Sequence, residues 1–392
     1  MPITGFTASN SLRSIPPYVF QQLDARRAAL RARGKTLMDF GIGSPDQAIP
    51  QLVVDAMREA VGERTLCGYP YFAGHPEFRN AIAGFMQNRF GVVVNPETEV
   101  MPVAGSKEGL AEIVLALCNP GDIVLVPEVH YPVYARATLL AGAVPVFVPF
   151  AEDGSGRMML ETISADDLAR ARIIIVNYPS NPTTAIATHE DFATIIAFAE
   201  QHQLLVVSDL AYSELSYDGF VVPSILELDG AKEVAIEMHT CSKSFNMAGL
   251  RIGFATGNAD AIAALDQYRS NTGYGVSTLP QRAAIAAFTH YRIITPPIVA
   301  EYKRRRDALA GALVQHGWNV NVPKATMYLW LDVPAGFDDW GWVDALMEGP
   351  GVVVTPGIAF GAAGTGKFRM SLVQPVQQLL NAVPLMTEVA RR

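Results

Sequence analysis

The sequence has few cysteines and no long hydrophobic run, and each shortage excludes a class of protein. Its 392 residues include three cysteines, Cys67, Cys118 and Cys241, without CxxC spacing or accompanying histidines. This odd, scattered set argues against a disulfide framework and is typical of reduced thiols in the cytoplasm. No apolar run approaches the roughly 18 to 20 residues that a membrane helix needs. Residues 1–10 carry no basic patch followed by an apolar core, so we expect no secretory signal and predict a cytoplasmic protein without a membrane partner.

Several signatures of binding and catalysis are also missing. The net charge is −8 without a block of like charges, which argues against a nucleic-acid partner. The seven histidines are scattered without HExxH or similar spacing, so no metal site is predicted. A GxSxG elbow is absent, and no GxGxxG follows the first predicted parallel strand. Residues 361–367 fit the glycines and lysine of a P-loop, but Phe368 stands where a magnesium-binding Ser or Thr is required.

The middle of the chain alternates between two periodicities. Short apolar, β-branched runs predict strands at residues 123–126, 144–148, 173–176 and 204–207, and helical periods separate them at 107–117, 132–140 and 189–202. Continuous apolar strands between helices indicate an α/β fold with a mostly parallel sheet that helices cover on both faces. Ligands of such sheets bind at the carboxyl ends of the strands.

The length exceeds what one hydrophobic core usually supports, so we expect a large and a small domain. Residues 1–48 are predicted to form an N-terminal arm and a segment of the small domain. Residues 49–295 would form the large domain, and residues 296–392 an α+β small domain that begins with a linking helix over 296–315.

Polar residues follow the predicted strands where a ligand would bind. Ser106 and Lys107 open a helix, whose free amides and positive end suit a phosphate. Asn181 precedes a proline, which favours an extended backbone and an amide that can face a ligand. Asp209 follows the apolar run 204–207 and one serine, and a carboxylate near a core needs a positive partner. A protonated pyridine nitrogen would be such a partner.

A single lysine stands among small hydroxylated residues directly after another predicted strand. Thr240 and Ser242 shortly precede Lys243 in the sequence, and Arg251 lies eight positions after it. An amine in this setting can form an imine with an aldehyde, while the hydroxyls and the guanidinium hold a phosphate. These residues predict pyridoxal 5'-phosphate as the cofactor.

In this order, Asn181, Asp209, Tyr212, Lys243 and Arg251 closely resemble the fold type I pyridoxal-phosphate enzymes of the class I/II aminotransferase family. Within it, the chain is most similar to the LL-diaminopimelate aminotransferase subgroup, through residues 12–20, 105–109, 131–134, 177–179 and 323–326. One departure lies at Thr184, where the family commonly has glycine after Asn-Pro-Thr. A second lies at residues 273–276, near the part of the substrate site that the dimer partner provides in the subgroup.

The resemblance implies a role for each matching residue. Lys243 would form the internal aldimine and shuttle the substrate proton, with a pKa lowered by cationic neighbours and partial burial. Asp209 would keep the pyridine nitrogen protonated, Tyr212 and Asn181 would bind the ring's phenolic oxygen, and Tyr131 would stack on the ring. The phosphate would be held by Ser106, Lys107, Thr240, Ser242 and Arg251.

The resemblance also implies a homodimer with shared active sites, because Tyr69 matches the tyrosine that reaches the neighbouring subunit's phosphate. Arg369 matches the arginine that grips the substrate carboxylate, assisted by Gly43 and Asn181. The implied reaction is a ping-pong transfer of an amino group from an L-amino acid to a 2-oxo acid. A lyase or cyclase would use the same residues, and a non-catalytic ligand sensor is a further alternative.

Overall fold

A computed structural model describes residues 7–391, so residues 1–6 and 392, which belong to the predicted outer segments, lie outside it. Its helices are α1 Asn10–Arg13, α2 Val19–Ala32, α3 Gln51–Ala60, α4 Pro76–Phe90, α5 Ser106–Leu117, α6 Val133–Leu140, α7 Ala165–Leu168, α8 His189–His202, α9 Ala231–Val234, α10 Cys241–Ser244, α11 Ala259–Thr272, α12 Thr278–Thr289, α13 Tyr291–Gln315, α14 Asp339–Glu348 and α15 Val376–Ala390. Its strands are β1 Met38–Asp39, β2 Val100–Val103, β3 Ile123–Pro127, β4 Val144–Val148, β5 Ala171–Val176, β6 Leu205–Asp209, β7 Ala235–Thr240, β8 Gly253–Gly257, β9 Tyr328–Asp332, β10 Val352–Val353, β11 Thr355–Pro356 and β12 Lys367–Ser371.

The larger sheet has seven strands in the order β2-β8-β7-β6-β5-β3-β4. Strand β8 runs antiparallel to both of its neighbours, and the other pairings are parallel. The predicted mostly parallel α/β fold is therefore confirmed.

Helices pack on both faces of this sheet. Leu110 of α5 and Leu265 of α11 share one core with Ile173, whereas Phe78 of α4 and Phe192 of α8 belong to the core on the other face. Burial of both faces is what the unbroken apolar runs of the strands indicate. Asp209 and Thr240 are the last residues of β6 and β7, where the chain leaves the sheet.

A smaller α+β unit combines both ends of the described chain. Strands β11, β12 and β9 form a three-stranded antiparallel sheet, and β1 from the N-terminal region pairs in parallel with β10. Helix α13 begins at Tyr291 rather than at Pro296, and it contains both Pro296 and Pro297. The helix continues through the prolines because Ile294 and Ile298 are buried on its inner face. The predicted boundary at 295/296 thus lies inside one helix, and the division into domains stays a prediction.

Within residues 7–391, no helix combines the length and the apolar character needed to cross a membrane. The same residues contain no cluster of histidine, cysteine, aspartate and glutamate that could hold a metal ion.

Candidate active site

A cavity of about 390 Å³ lies at the carboxyl ends of the central strands and is lined by residues of both units. Every site residue predicted from the sequence lines it except Tyr69. The residues that it brings together are Gly43, Ser106, Lys107, Tyr131, Asn181, Asp209, Tyr212, Thr240, Ser242, Lys243, Arg251 and Arg369.

Lys243 reaches this cavity because β7 ends in a short helix. Thr240 caps that helix, and its side chain accepts a hydrogen bond from the Ser242 amide at 3.2 Å. The Lys243 Nζ donates to the carbonyl of Gly43 on the opposite wall. Burial lowers the pKa of the Lys243 amine, and the nearby charges of Arg369 and Arg251 lower it further, against an opposing effect of Tyr328. The amine is therefore easier to deprotonate than an exposed lysine.

Asp209, the last residue of β6, has two oxygens in different situations. Oδ2 accepts a hydrogen bond of 2.7 Å from the Tyr134 hydroxyl, whereas the buried Oδ1 has no partner within the described chain. Burial raises the pKa of Asp209 to about 6, although the Tyr134 hydrogen bond and the charge of His239 act to lower it. A buried, unpaired carboxylate oxygen costs free energy unless a donor reaches it, and a protonated ring nitrogen would supply one.

Residues suited to a phosphate surround the start of α5. Gly105 precedes this helix with φ of 90°, and a Cβ there would lie 2.5 Å from Nη2 of Arg251. Arg251 donates from Nη2 to the Ala104 carbonyl at 3.0 Å and from Nη1 to the Ala248 carbonyl at 2.9 Å. The guanidinium therefore lies against the amino end of α5, where backbone amides and the helix dipole favour an anion. The hydroxyls of the adjacent Thr240 and Ser242 line the same cavity.

Arg369 presents a buried positive charge from the smaller unit. The side chain of Arg369 is 2% exposed, and its Nη1 and Nη2 donate to Asn181 Oδ1 at 2.6 Å and to the Gly41 carbonyl at 2.8 Å. Nε has no hydrogen-bond partner, and no carboxylate of residues 7–391 forms an ion pair with this guanidinium. A buried cation without a counter-ion is a strong site for a carboxylate ligand.

Four residues that the sequence-based site did not include help to form it. Tyr134 and Asn177 hold Asp209, because the Asn177 Nδ2 also donates to the Asp209 carbonyl at 2.8 Å. The Tyr328 hydroxyl accepts a hydrogen bond of 3.1 Å from the Tyr212 hydroxyl, and Tyr18 lines the cavity. Tyr18, Tyr134 and Asn177 lie in segments that resemble the family, and Tyr328 lies outside them. Nothing in the spacing of the four residues indicated these contacts.

Tyr69 is the one predicted site residue that lies elsewhere. Its side chain is 80% exposed, and its ring stacks on Tyr274 with centroids 4.2 Å apart. The ring of Phe72 also stacks on Tyr274, with centroids 5.5 Å apart. The role of Tyr69 in a partner's site remains a prediction.

The P-loop-like stretch has a structural role. Both oxygens of Asp339 accept backbone hydrogen bonds of 2.7 Å, from Ile358 and Gly366. Lys367 begins strand β12 and pairs with Asp332 at 2.5 Å. The stretch is thus bound to a carboxylate and leads into a strand, unlike a phosphate-binding loop.

A mostly parallel seven-stranded sheet, with a lysine after one strand and a carboxylate at the end of its neighbour, defines the fold type I class of pyridoxal-phosphate enzymes. The model of the family described as aminotransferase class I and II matches residues 35–383. The chain therefore belongs to this pyridoxal-phosphate-dependent family, and the protein is an aminotransferase, as the resemblance predicted.

Similar proteins support this placement over nearly the whole chain. LL-diaminopimelate aminotransferase 2 of Trichormus variabilis is 41% identical over 382 residues, covering 97% of this chain and 98% of its own length. The LL-diaminopimelate aminotransferase of Desulforudis audaxviator is 40% identical and is covered to 96%, as is this chain. Among solved structures, substrate-bound BacF from Bacillus subtilis has a TM-score of 0.94 at 34% identity, with 98% of both chains covered.

The residues present fit pyridoxal phosphate. The unpaired Oδ1 of Asp209 matches a ring N–H, and the Lys243 amine matches an aldehyde. Arg251 and the start of α5 match the phosphate, while the unpaired guanidinium of Arg369 is left for a substrate.

Proposed function

We propose that this protein holds pyridoxal 5'-phosphate in the cavity and uses Lys243 to move an amino group from an L-amino acid to a 2-oxo acid. The observation that carries this proposal is that a buried carboxylate oxygen without a partner, Oδ1 of Asp209, shares one cavity with an amine of lowered pKa. Pyridoxal phosphate, when bound, supplies an electron sink for the bonds at the substrate Cα.

The side chains around the cavity would hold the cofactor at each of its polar groups. Asp209 would accept the hydrogen bond of the ring nitrogen, and Tyr134 keeps the carboxylate in place. Tyr212 and Asn181 would bind the phenolic oxygen, and Tyr131 would cover one ring face. The phosphate would be bound by Ser106, Lys107, Thr240, Ser242 and Arg251.

Lys243 would then hold and move the proton of the substrate Cα. Its lowered pKa favours the neutral amine, which is the form that can act as a base. Arg369 would bind the substrate carboxylate with both Nη groups, while the Gly43 backbone and Asn181 complete that subsite. Fixing the carboxylate orients the Cα–H bond toward Lys243, which is how positioning lowers the barrier.

We also propose that the protein is cytoplasmic and forms a homodimer with shared active sites. In support, Tyr69 is exposed and forms an aromatic group with Tyr274 and Phe72 outside its own cavity. Exposed aromatic clusters are typical of protein interfaces.

For the amino donor, we propose LL-diaminopimelate, because relatives of 40–41% identity over nearly the full length carry that name. The departure at residues 273–276 lies next to the predicted shared part of the site, so the experiment compares this donor with other amino acids.

The test is a donor panel on the reconstituted holoenzyme. LL-diaminopimelate and acidic, basic and aromatic amino acids are each mixed with the holoenzyme, and the half-reaction change in cofactor absorbance is followed. A subsequent addition of 2-oxoglutarate or pyruvate should restore the original absorbance and yield a new amino acid. Release of ammonia or of a cyclic product without restoration by an oxo acid would contradict the proposal, and Lys243→Ala serves as the inactive control.

A further inference from the structure

Tyr328 reaches the cavity from the smaller unit and contacts two parts of the site at once. It is the first residue of β9, where it pairs with Ser371 of β12, and it is 2% exposed. Its ring lies under the guanidinium of Arg369, with Cζ 4.2 Å from the ring centroid. Its hydroxyl oxygen accepts a hydrogen bond of 3.1 Å from the Tyr212 hydroxyl.

We propose that Tyr328 is a positioning residue that links the two ends of the site, its ring orienting Arg369 and its hydroxyl orienting Tyr212. This inference rests on the proposed function, in which Arg369 binds the substrate carboxylate and Tyr212 binds the phenolic oxygen of the cofactor.

The ring supplies the support that hydrogen bonds alone do not give to Arg369. Nη1 and Nη2 are fixed by Asn181 and the Gly41 carbonyl, which still lets the guanidinium plane tilt about the line through both contacts. The face of Tyr328 prevents that tilt, and cation–π attraction adds to the contact. The ring of Phe360 is also near, at 4.8 Å.

The hydroxyl supports Tyr212 because two phenols can exchange donor and acceptor roles. When Tyr212 donates to a ligand, Tyr328 can donate to the Tyr212 oxygen, and chained hydrogen bonds strengthen one another. Burial would raise the pKa of Tyr328, but the charges of Arg369 and Lys243 and the Tyr212 hydrogen bond outweigh it and lower that pKa. Tyr131 is a further titratable group near this phenol.

Gly43 shows that the position of Tyr328 is built into the wall of the cavity. The Tyr328 hydroxyl occupies the space that a Cβ of Gly43 would fill. The same glycine offers its carbonyl to Lys243. The phenol is therefore packed closely into the site.

Two substitutions separate the ring from the hydroxyl. Tyr328→Phe keeps the ring under Arg369 and removes the hydroxyl, whereas Tyr328→Leu removes both. Tyr302→Phe is the matched control, because Tyr302 is fully buried on α13 and does not line the cavity. Its hydroxyl has no hydrogen-bond partner among the residues that the structure describes.

Two measurements are made on each holoenzyme. The first is the dissociation constant of a carboxylate that has neither an amino nor an oxo group, by calorimetry. Tyr328→Leu should weaken this binding by roughly tenfold, since Arg369 loses the ring that orients its guanidinium, and Tyr328→Phe should stay within about twofold. The second is the pH midpoint of the bound cofactor's absorbance. Tyr328→Phe should raise it by about half a unit, because weaker donation from Tyr212 disfavours the ionised phenolic oxygen.

Tyr302→Phe should leave both quantities as in the wild type. An unchanged midpoint in Tyr328→Phe would overturn the inference, and so would carboxylate binding by Tyr328→Leu within twofold of the wild type. If Tyr328→Leu does not take up cofactor, the Tyr328→Phe titration decides alone. A wild-type protein that binds no cofactor would instead refute the proposed function, so the two failures are distinguishable.

Discussion

The hydroxyl of Tyr134 donates to Oδ2 of Asp209 across 2.7 Å, while Oδ1 of the same carboxylate has no partner within residues 7–391. One oxygen is therefore held by the protein, and the other is left for a ligand. Since the carboxylate is buried, its ionised form is costly until a positive partner arrives. This asymmetry makes the cofactor-free protein sensitive to the protonation of one residue.

The first prediction concerns the stability of the cofactor-free protein as a function of pH. Because burial raises the pKa of Asp209 from 3.8 to about 6, the folded state binds a proton more tightly than the unfolded state. The stabilisation that protonated Asp209 gives the folded state is therefore complete below pH 3.8 and is lost as the pH rises through about 6. As the pH falls from 7 to 5, the free energy of unfolding of the wild type should increase by about 1 kcal/mol relative to that of Asp209→Asn. Urea unfolding of both proteins at equal concentration measures this change. A difference between the two proteins that stays constant with pH would contradict the prediction.

The second prediction tests the Tyr134 hydrogen bond. This bond lowers the pKa of Asp209, so Tyr134→Phe should move the midpoint of the same pH dependence upward by about one unit. Tyr178→Phe is the control, since the buried Tyr178 hydroxyl donates to the Gly156 carbonyl at 2.7 Å outside the cavity. Equal midpoints in Tyr134→Phe and Tyr178→Phe would show that the bond has no electrostatic effect on Asp209.

The third prediction compares two glycines with nearly the same positive φ. Gly105 has φ of 90° and Gly121 has φ of 89°, so a residue with a Cβ is strained at both positions. A Cβ at Gly105 would meet Arg251, whereas a Cβ at Gly121 would have no atom of residues 7–391 within 4 Å. Gly105→Ala should therefore weaken pyridoxal phosphate binding by at least about tenfold, through loss of a charge-assisted contact, and Gly121→Ala should not. Cofactor titration followed by absorbance decides, and equal affinities would contradict the assignment of Arg251 to the phosphate.

The fourth prediction concerns Thr184, which stands where the family commonly has glycine. Thr184 adopts φ of 63°, in the left-handed region that disfavours β-branched residues. Thr184→Gly should raise the free energy of unfolding by about 0.5–1 kcal/mol, because relief of strain exceeds the entropic cost of glycine. Thr184→Ala keeps a Cβ and should gain less. A chemical denaturation series in which the alanine variant is at least as stable as the glycine variant would refute this explanation.

The strands and the residues at their ends could be predicted because their signal is local. An apolar run such as residues 173–176 predicts a buried strand. A polar residue at the end of such a run, such as Asp209 at the end of β6, predicts a ligand contact. The direction of β8 could not be predicted, because an apolar strand reads alike in both directions. The prolines of α13 led to a predicted helix start at residue 296, whereas the packed helix begins at Tyr291.

The support of the site was not predicted, because it depends on contacts that are distant in sequence. Tyr134 and Asp209 are 75 positions apart, and Tyr212 and Tyr328 are 116 apart. Hydrophobic periodicity carries no information about which loops meet. Arg369 could be named only through its resemblance to a family position, since an arginine in a strand has no local signature of ligand binding.

The most direct test of the account is to locate the covalent bond between the cofactor and the chain. The holoenzyme is treated with sodium borohydride, which reduces a C=N bond to a stable C–N bond, and its peptides are analysed by mass spectrometry. The account predicts the reduced adduct on Lys243 in the wild type and no adduct at that position in Lys243→Ala. An adduct on another lysine of the wild type, or no adduct at all, would contradict it.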